Sequence, residues 1–271
     1  MICYKNRLLL VFFAAMFLIG ESFDYTVHTY VPVCKIPLEG GMFTTDNLQN
    51  VYVYERSTIK KYNPDGKLQY TYSDKTYGDI TSIDVYDPMK IMVFYKGFPQ
   101  LIFLDNTLSQ NGAPVDPSVL GYSLASLACV SHDNGVWFYD PQVSQLVRFD
   151  INLNPTEKTG NLNQALGIVI NPVSLIENNS YLYLSDTAQG ILVFDGFGTY
   201  YKTIPLKKLT DYEVRGDDMF YLQGKKLHTF HLKTITEDSG TLPDSLATQA
   251  RVEKNMLFEK YNDTVRVYQV K

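Results

Sequence analysis

The chain has 271 residues, 45% of them apolar and 20% charged, with a formal net charge of −5. These values exclude a disordered chain, a coiled coil and a polytopic membrane protein, and the lack of a cationic excess argues against nucleic acid as a ligand. Aromatic residues make up 14%, with 21 Tyr against a single Trp, which suits strands, where a flat ring packs on a pleated, half-buried surface.

Taken in chain order, residues 1–22 read as a cleavable signal peptide. A short basic start (Lys5, Arg7) leads into an apolar stretch over 8–19, closed by the small residues Gly20 and Ser22. The stretch is short for a spanning anchor, and no Cys follows it to take a lipid; an uncleaved anchor is the competing reading. Removing Lys5, Arg7 and Glu21 deepens the net charge to −6. The mature chain therefore reads as an exported acidic protein without a transmembrane span, periplasmic or outer-membrane-associated. Export permits disulfides, but only Cys34 and Cys129 remain. Two buried thiols suit a domain that can build its own core; a bridge is the alternative.

From residue 23 onward one pattern recurs. A short apolar strand and a polar turn precede a second strand that ends on an apolar or aromatic anchor followed by a polar residue. The copies run over 50–63, 90–105, 135–150, 181–195, 218–231 and 256–269. Their anchors, Tyr62, Leu104, Phe149, Phe194, Phe230 and Tyr268, are spaced by 42, 45, 45, 36 and 38 residues. That period belongs to propeller blades, each a four-stranded antiparallel sheet. Inner strands are predicted over 42–45, 81–85, 127–130, 173–176, 211–214 and 249–252. The sixth copy has no outer strand of its own, and a strand over about 27–37 precedes the first blade. Placing it on the outer edge of blade six closes the ring. The expected fold is all-β: a six-bladed β-propeller over 23–271 closed by an N-terminal outer strand. A β-sandwich competes but predicts neither equal copies nor an orphan strand.

The fourth copy, Tyr181-Leu182-Tyr183-Leu184-Ser185-Asp186-Thr187 through Ile191-Leu192-Val193-Phe194-Asp195, resembles an NHL-type blade. Over the mature chain the sequence resembles exported six-bladed propeller proteins of NHL or TolB-like type, as common in Bacteroidota. The resemblance implies the fold and an envelope location, and it brings no set of catalytic residues.

No His-Glu-x-x-His, Cys-x-x-Cys, phosphate loop or Gly-x-Ser-x-Gly elbow occurs. His228 and His231 lie three apart in a predicted strand and so point to opposite faces. Asp84 and Asp211, on predicted inner strands, are the start of a channel metal set but fall short of the six to eight oxygens calcium takes. No metal, cofactor or catalytic residue is assigned. The turns between second and third strands share one face with the inter-blade crossings. They bring Tyr54, Arg56, Tyr95, Lys96, Phe98, Tyr139, Asp140, Lys225 and Tyr261 to one rim, and aromatics mixed with cations anchor protein or glycan partners. The alternative for each Tyr is packing between blades. Asp-Ser/Thr-apolar triplets at Thr187, Ser245 and Thr264 match an O-glycosylation pattern of exported proteins. The expected function is a non-catalytic scaffold that binds an envelope protein or glycan through the rim. A hydrolase or lyase with a channel metal and a carbohydrate-binding module are the alternatives.

Overall fold

The structure is a computed structural model that describes residues 29–271. The predicted leader over 1–22 and His28 lie outside the described residues. The first strand, β1 (Tyr30–Pro37), precedes blade 1, which comprises β2 (Met42–Thr45), β3 (Val51–Glu55), β4 (Thr58–Tyr62) and β5 (Leu68–Ser73). Blade 2 has β6 (Ser82–Asp84), β7 (Ile91–Tyr95) and β8 (Gln100–Leu104); blade 3 has β9 (Leu127–Val130), β10 (Val136–Asp140), β11 (Gln145–Phe149) and β12 (Pro155–Lys158). After a single-turn helix, α1 (Leu162–Leu166), blade 4 has β13 (Pro172–Asn178), β14 (Tyr181–Asp186), β15 (Gly190–Asp195) and β16 (Tyr200–Ile204). Blade 5 has β17 (Tyr212–Arg215), β18 (Asp218–Gln223), β19 (Lys226–His231) and β20 (Thr236–Thr241), and blade 6 has β21 (Gln249–Glu253), β22 (Met256–Tyr261) and β23 (Thr264–Val270).

The ring closes as expected. β1 pairs antiparallel with β23 from Tyr30↔Val270 to Pro37↔Thr264, so blade 6 takes its outer strand from the other end of the chain. Blade 2 departs from four strands. Its outer position is filled by an irregular run that touches β8 through isolated bridges at Leu104↔Gln110 and Leu101↔Val115. The run contains Gly112 and Pro114, and Pro has no N–H to give to a ladder.

Six apolar clusters, one per seam, hold the ring, and the middle strands of blades 1 to 4 bury side chains on both faces. Strand alternation sends Val136 and Phe138 of β10 toward blade 2, and Trp137 and Tyr139 toward blade 4. The polar residue after three of the six anchors also finds its reason. Asp105, Asp150 and Asp195 each accept from backbone N–H groups two and four residues on, at 2.8–3.0 Å. These Asx turns satisfy the hairpin backbone without other help. Cys34 and Cys129 are both free. Cys129 is buried at the seam between blades 3 and 4, while Cys34, on the edge of blade 6, is only half-buried, short of the expected full burial. Among the described residues no helix is long and apolar enough to cross a membrane.

Candidate functional site

Inner strands run from an upper face, which carries the inter-blade crossings and the second-to-third-strand turns, to a lower face with the remaining turns. They enclose a cavity of about 260 Å³ on the ring axis. Its walls differ. Blades 2 to 4 contribute Ile83, Leu127, Ala128, Val173 and Leu175 with two carboxylates, Asp84 and Glu177, whereas blades 5 and 6 contribute Asp211, Glu213 and both arginines, Arg215 and Arg251.

On the charged wall, Arg251 grips Asp211 through both terminal nitrogens. Arg215 meets Glu253 at 2.5 Å and donates to the Thr45 carbonyl at 2.9 Å, which ties blade 5 to blade 1. Glu213 accepts from the Val252 N–H of blade 6. Burial raises the carboxyl of Glu213 above its ordinary value and pushes that of Glu253 up to about 7, although Arg215 pulls both down. Asp84, one of the two channel carboxylates expected from sequence, accepts from Tyr86 N–H and Val130 N–H, both at 3.0 Å. Its oxygens stitch blade 2 to blade 3, and burial still raises its pKa. Asp211, the other, is committed to Arg251. No cluster of three or more metal-ligating side chains is present among the described residues.

The predicted rim residues divide sharply. Arg56, Lys96, Phe98 and Lys225 are exposed on the upper face. Tyr54 is half-buried at the channel mouth, where burial pushes its hydroxyl up to about 12. Tyr261 is half-buried beneath Arg266, whose guanidinium carbon lies 3.9 Å from the ring centroid. Tyr95 and Tyr139 are not on the rim at all, with exposures of 0% and 2%. Each continues the alternation of its strand to the last residue. Tyr95 shares the parity of Ile91 and Val93 and packs on Tyr77 at 5.3 Å, and Tyr139 shares that of Trp137. That parity was readable in the sequence. Asp140 is buried too, its carboxylate capping the turn through Gln142 N–H at 2.8 Å. Of the triplet hydroxyls, Ser245 is exposed, and Thr187 and Thr264 are half-buried. Asp186 and Asp244 beside them also accept from the N–H two residues on.

Apolar side chains unforeseen in the sequence join Phe98 on the upper face. Val119 and Leu124 stand on the crossing from blade 2 to blade 3, Val143 on the β10–β11 turn and Val169 on the crossing to blade 4; Phe98, Val119 and Val169 are 75%, 83% and 80% exposed. The upper face of blades 5, 6 and 1 exposes mainly charged residues, Lys207, Lys208, Lys225, Asp263, Glu55 and Arg56, with Leu246 as one exposed apolar side chain.

Sequence reasoning also missed a polar network low in the seam between blades 3 and 4. Glu177, at the lower end of β13, accepts from His132 N–H at 2.9 Å, His132 Nδ1 at 2.7 Å and Trp137 Nε1 at 2.8 Å. His132 and Glu177 are 45 residues apart, and no local pattern signals their meeting. In blade 5, His228 bonds Glu237 while His231 lies between Asp218 and Asp238, on opposite strand faces as expected.

No family model matches the sequence, and no curated protein matches it. Solved structures do match. The Neurospora crassa Pan2 WD40 domain has a TM-score of 0.59 at 8% identity, over 89% of this chain and 95% of that one. What they share is the propeller. BBS1N in complex with ARL6DN has a TM-score of 0.56 at 11% identity, over 87% and 78% of the two chains. A catalytically inactive virginiamycin B lyase from Staphylococcus aureus, with quinupristin, has a TM-score of 0.55 at 13% identity, over 84% and 79%.

Proposed function

We propose that this propeller is an exported scaffold of the cell envelope that binds a protein partner through the blade 2–4 side of its upper face. The observation that carries the reading is the arc of Phe98, Val119, Leu124, Val143 and Val169, all exposed on one face of a rigid ring. Grouped exposed apolar residues on a soluble domain mark interaction sites, and the adjoining charged arc supplies the polar border such sites have. Phe98, Lys96, Arg56 and Lys225 remain from the rim read in the sequence. The solved WD40 neighbour and the BBS1N complex support a propeller in this role, and the apolar stretch over 8–19 supports export. The NHL/TolB-like kinship rests on the blade 4 motif. A channel-metal hydrolase has less support, because the oxygens of Asp84 and Asp211 already have donors.

The test is site-specific photo-crosslinking of the full chain in its native envelope. A cross-linker at Phe98 or Val169 should capture one discrete protein, and one at Lys225 should capture it weakly or not at all. Phe98→Asp combined with Val169→Asp should abolish capture. Equal capture from all three positions, or capture that survives the double substitution, contradicts the reading.

A further inference from the structure

The cavity on the ring axis holds an excess of acceptors. Four carboxyls line it, Asp84, Glu177, Asp211 and Glu213, against two guanidiniums, Arg215 and Arg251. Both guanidiniums already have carboxylate partners. Arg251 is held by Asp211 and also donates to the Ala250 carbonyl at 3.0 Å. Arg215 gives one terminal nitrogen to Glu253 and to the Thr45 carbonyl. An anion entering the cavity would compete with carboxylates that are already in place.

The carboxyls are less fully used. Glu213, its side chain 6% exposed, gives one oxygen to the Val252 N–H. Its other oxygen, Oε2, has no hydrogen-bond donor, and Arg215 Nε stands 3.7 Å away, at ion-pair range only. On the opposite blade, each Asp84 oxygen accepts a single backbone N–H at 3.0 Å, so both retain a lone pair for another donor. A buried carboxylate oxygen without a donor is costly, and an N–H from a cation relieves it with charge assistance. The rest of the wall between these two carboxyls is largely apolar, with Ile83, Leu127, Val173 and Leu175. At about 260 Å³ the space is smaller than the pockets that take drug-sized ligands.

We propose that the channel binds a small primary ammonium ion with a compact apolar body. The ammonium group donates to Glu213 Oε2 in the field of Asp84, and the body lies against Ile83, Leu127 and Leu175. Burial raises the carboxyls of both Asp84 and Glu213 above their ordinary values, and a cation beside them favours their charged forms. The site uses no residue of the exposed arc, so ligand binding and partner capture can be lost separately.

The full chain is to be titrated by isothermal calorimetry with phenethylammonium and isopentylammonium chlorides, and with the matched phenethyl alcohol and phenylacetate. At least one ammonium ion should bind at a single saturable site, about tenfold or more tighter than the alcohol. Phenylacetate should give no saturable heat. Glu213→Gln keeps an oxygen for the Val252 N–H and should weaken ammonium binding about tenfold while leaving the alcohol unaffected. Asp84→Asn should weaken it by a smaller factor, and this variant carries the test if Glu213→Gln lowers the unfolding temperature. Val173 is 42% exposed at the upper mouth, and Val173→Trp should block entry. Four results would overturn the proposal: no saturable binding by either ammonium ion, alcohol or phenylacetate binding as tightly, ammonium affinity unchanged in both carboxyl variants, or binding that survives Val173→Trp.

Discussion

The seams between blades 3 and 4 and between blades 5 and 6 each bury a glutamate, with opposite consequences. In the first, Glu177 is surrounded by three donors inside a cluster built on Trp137, Leu182, Leu184 and Phe194. In the second, Glu259 is fully buried with no side-chain donor, only the Asp244 backbone N–H easing its charge, although Arg266 stands opposite on β23. Arg266 is turned to Asp244 and stacked over Tyr261 instead. The apolar cluster there is also the smallest of the six, with Leu242, Ala247, Ala250 and Leu257 as its buried members. The same residue type therefore locks one seam and leaves the other dependent on protonation, because donors decide whether a buried carboxylate can stay charged.

The largest expected effect breaks the locked seam. Trp137→Ala removes a ring with 0% exposure and strips a donor from Glu177, and it should lower the stability by about 3–5 kcal/mol in denaturant unfolding. Glu177→Leu keeps the bulk but orphans the His132 N–H and Trp137 Nε1, which should cost about 2–3 kcal/mol by the same measurement.

The weaker seam is probed by pH. Burial pushes the carboxyls of both Glu259 and Glu253 from 4.5 up to about 7. The folded chain thus holds these protons more tightly than the unfolded chain does. Their contribution to stability is full below about pH 4.5, declines as pH rises, and is gone above about 7. At the acid end, Asp105 and Asp150 are held below 3.8 by their turn hydrogen bonds, so stability also falls as pH drops through that range. The unfolding temperature should therefore peak near about pH 5 and fall toward pH 8. Glu259→Gln should flatten the alkaline side, raising stability at pH 8 by on the order of 2 kcal/mol and changing little at pH 5. The smallest effect separates the arc from the seams: Phe98→Ala should change stability by no more than about 0.5 kcal/mol while weakening partner capture.

Much of the ring was legible from local pattern. The anchor spacing, the alternation within middle strands and the Asp after three of the anchors are all patterns within one blade's stretch of chain, so each blade announces itself over a few dozen residues. The missing outer strand of the sixth copy even pointed to β1, since an unpaired edge demands a partner. The site was less legible. Tyr95 and Tyr139 stood at strand ends and were placed on the rim as part of a set, although packing between blades was the stronger reading for each alone and their parity already matched the buried residues before them.

The sequence by itself determined that this chain is a six-bladed ring with its ends joined, because strand periodicity and turn chemistry are local properties. Only the tertiary structure decided that Arg251 answers Asp211, and that Glu177 finds three donors while Glu259 finds no side-chain donor. Those partners come from different blades, up to 45 residues apart in the Glu177 network. Closing the ring is the step that brings them together, and no local pattern in the chain records it.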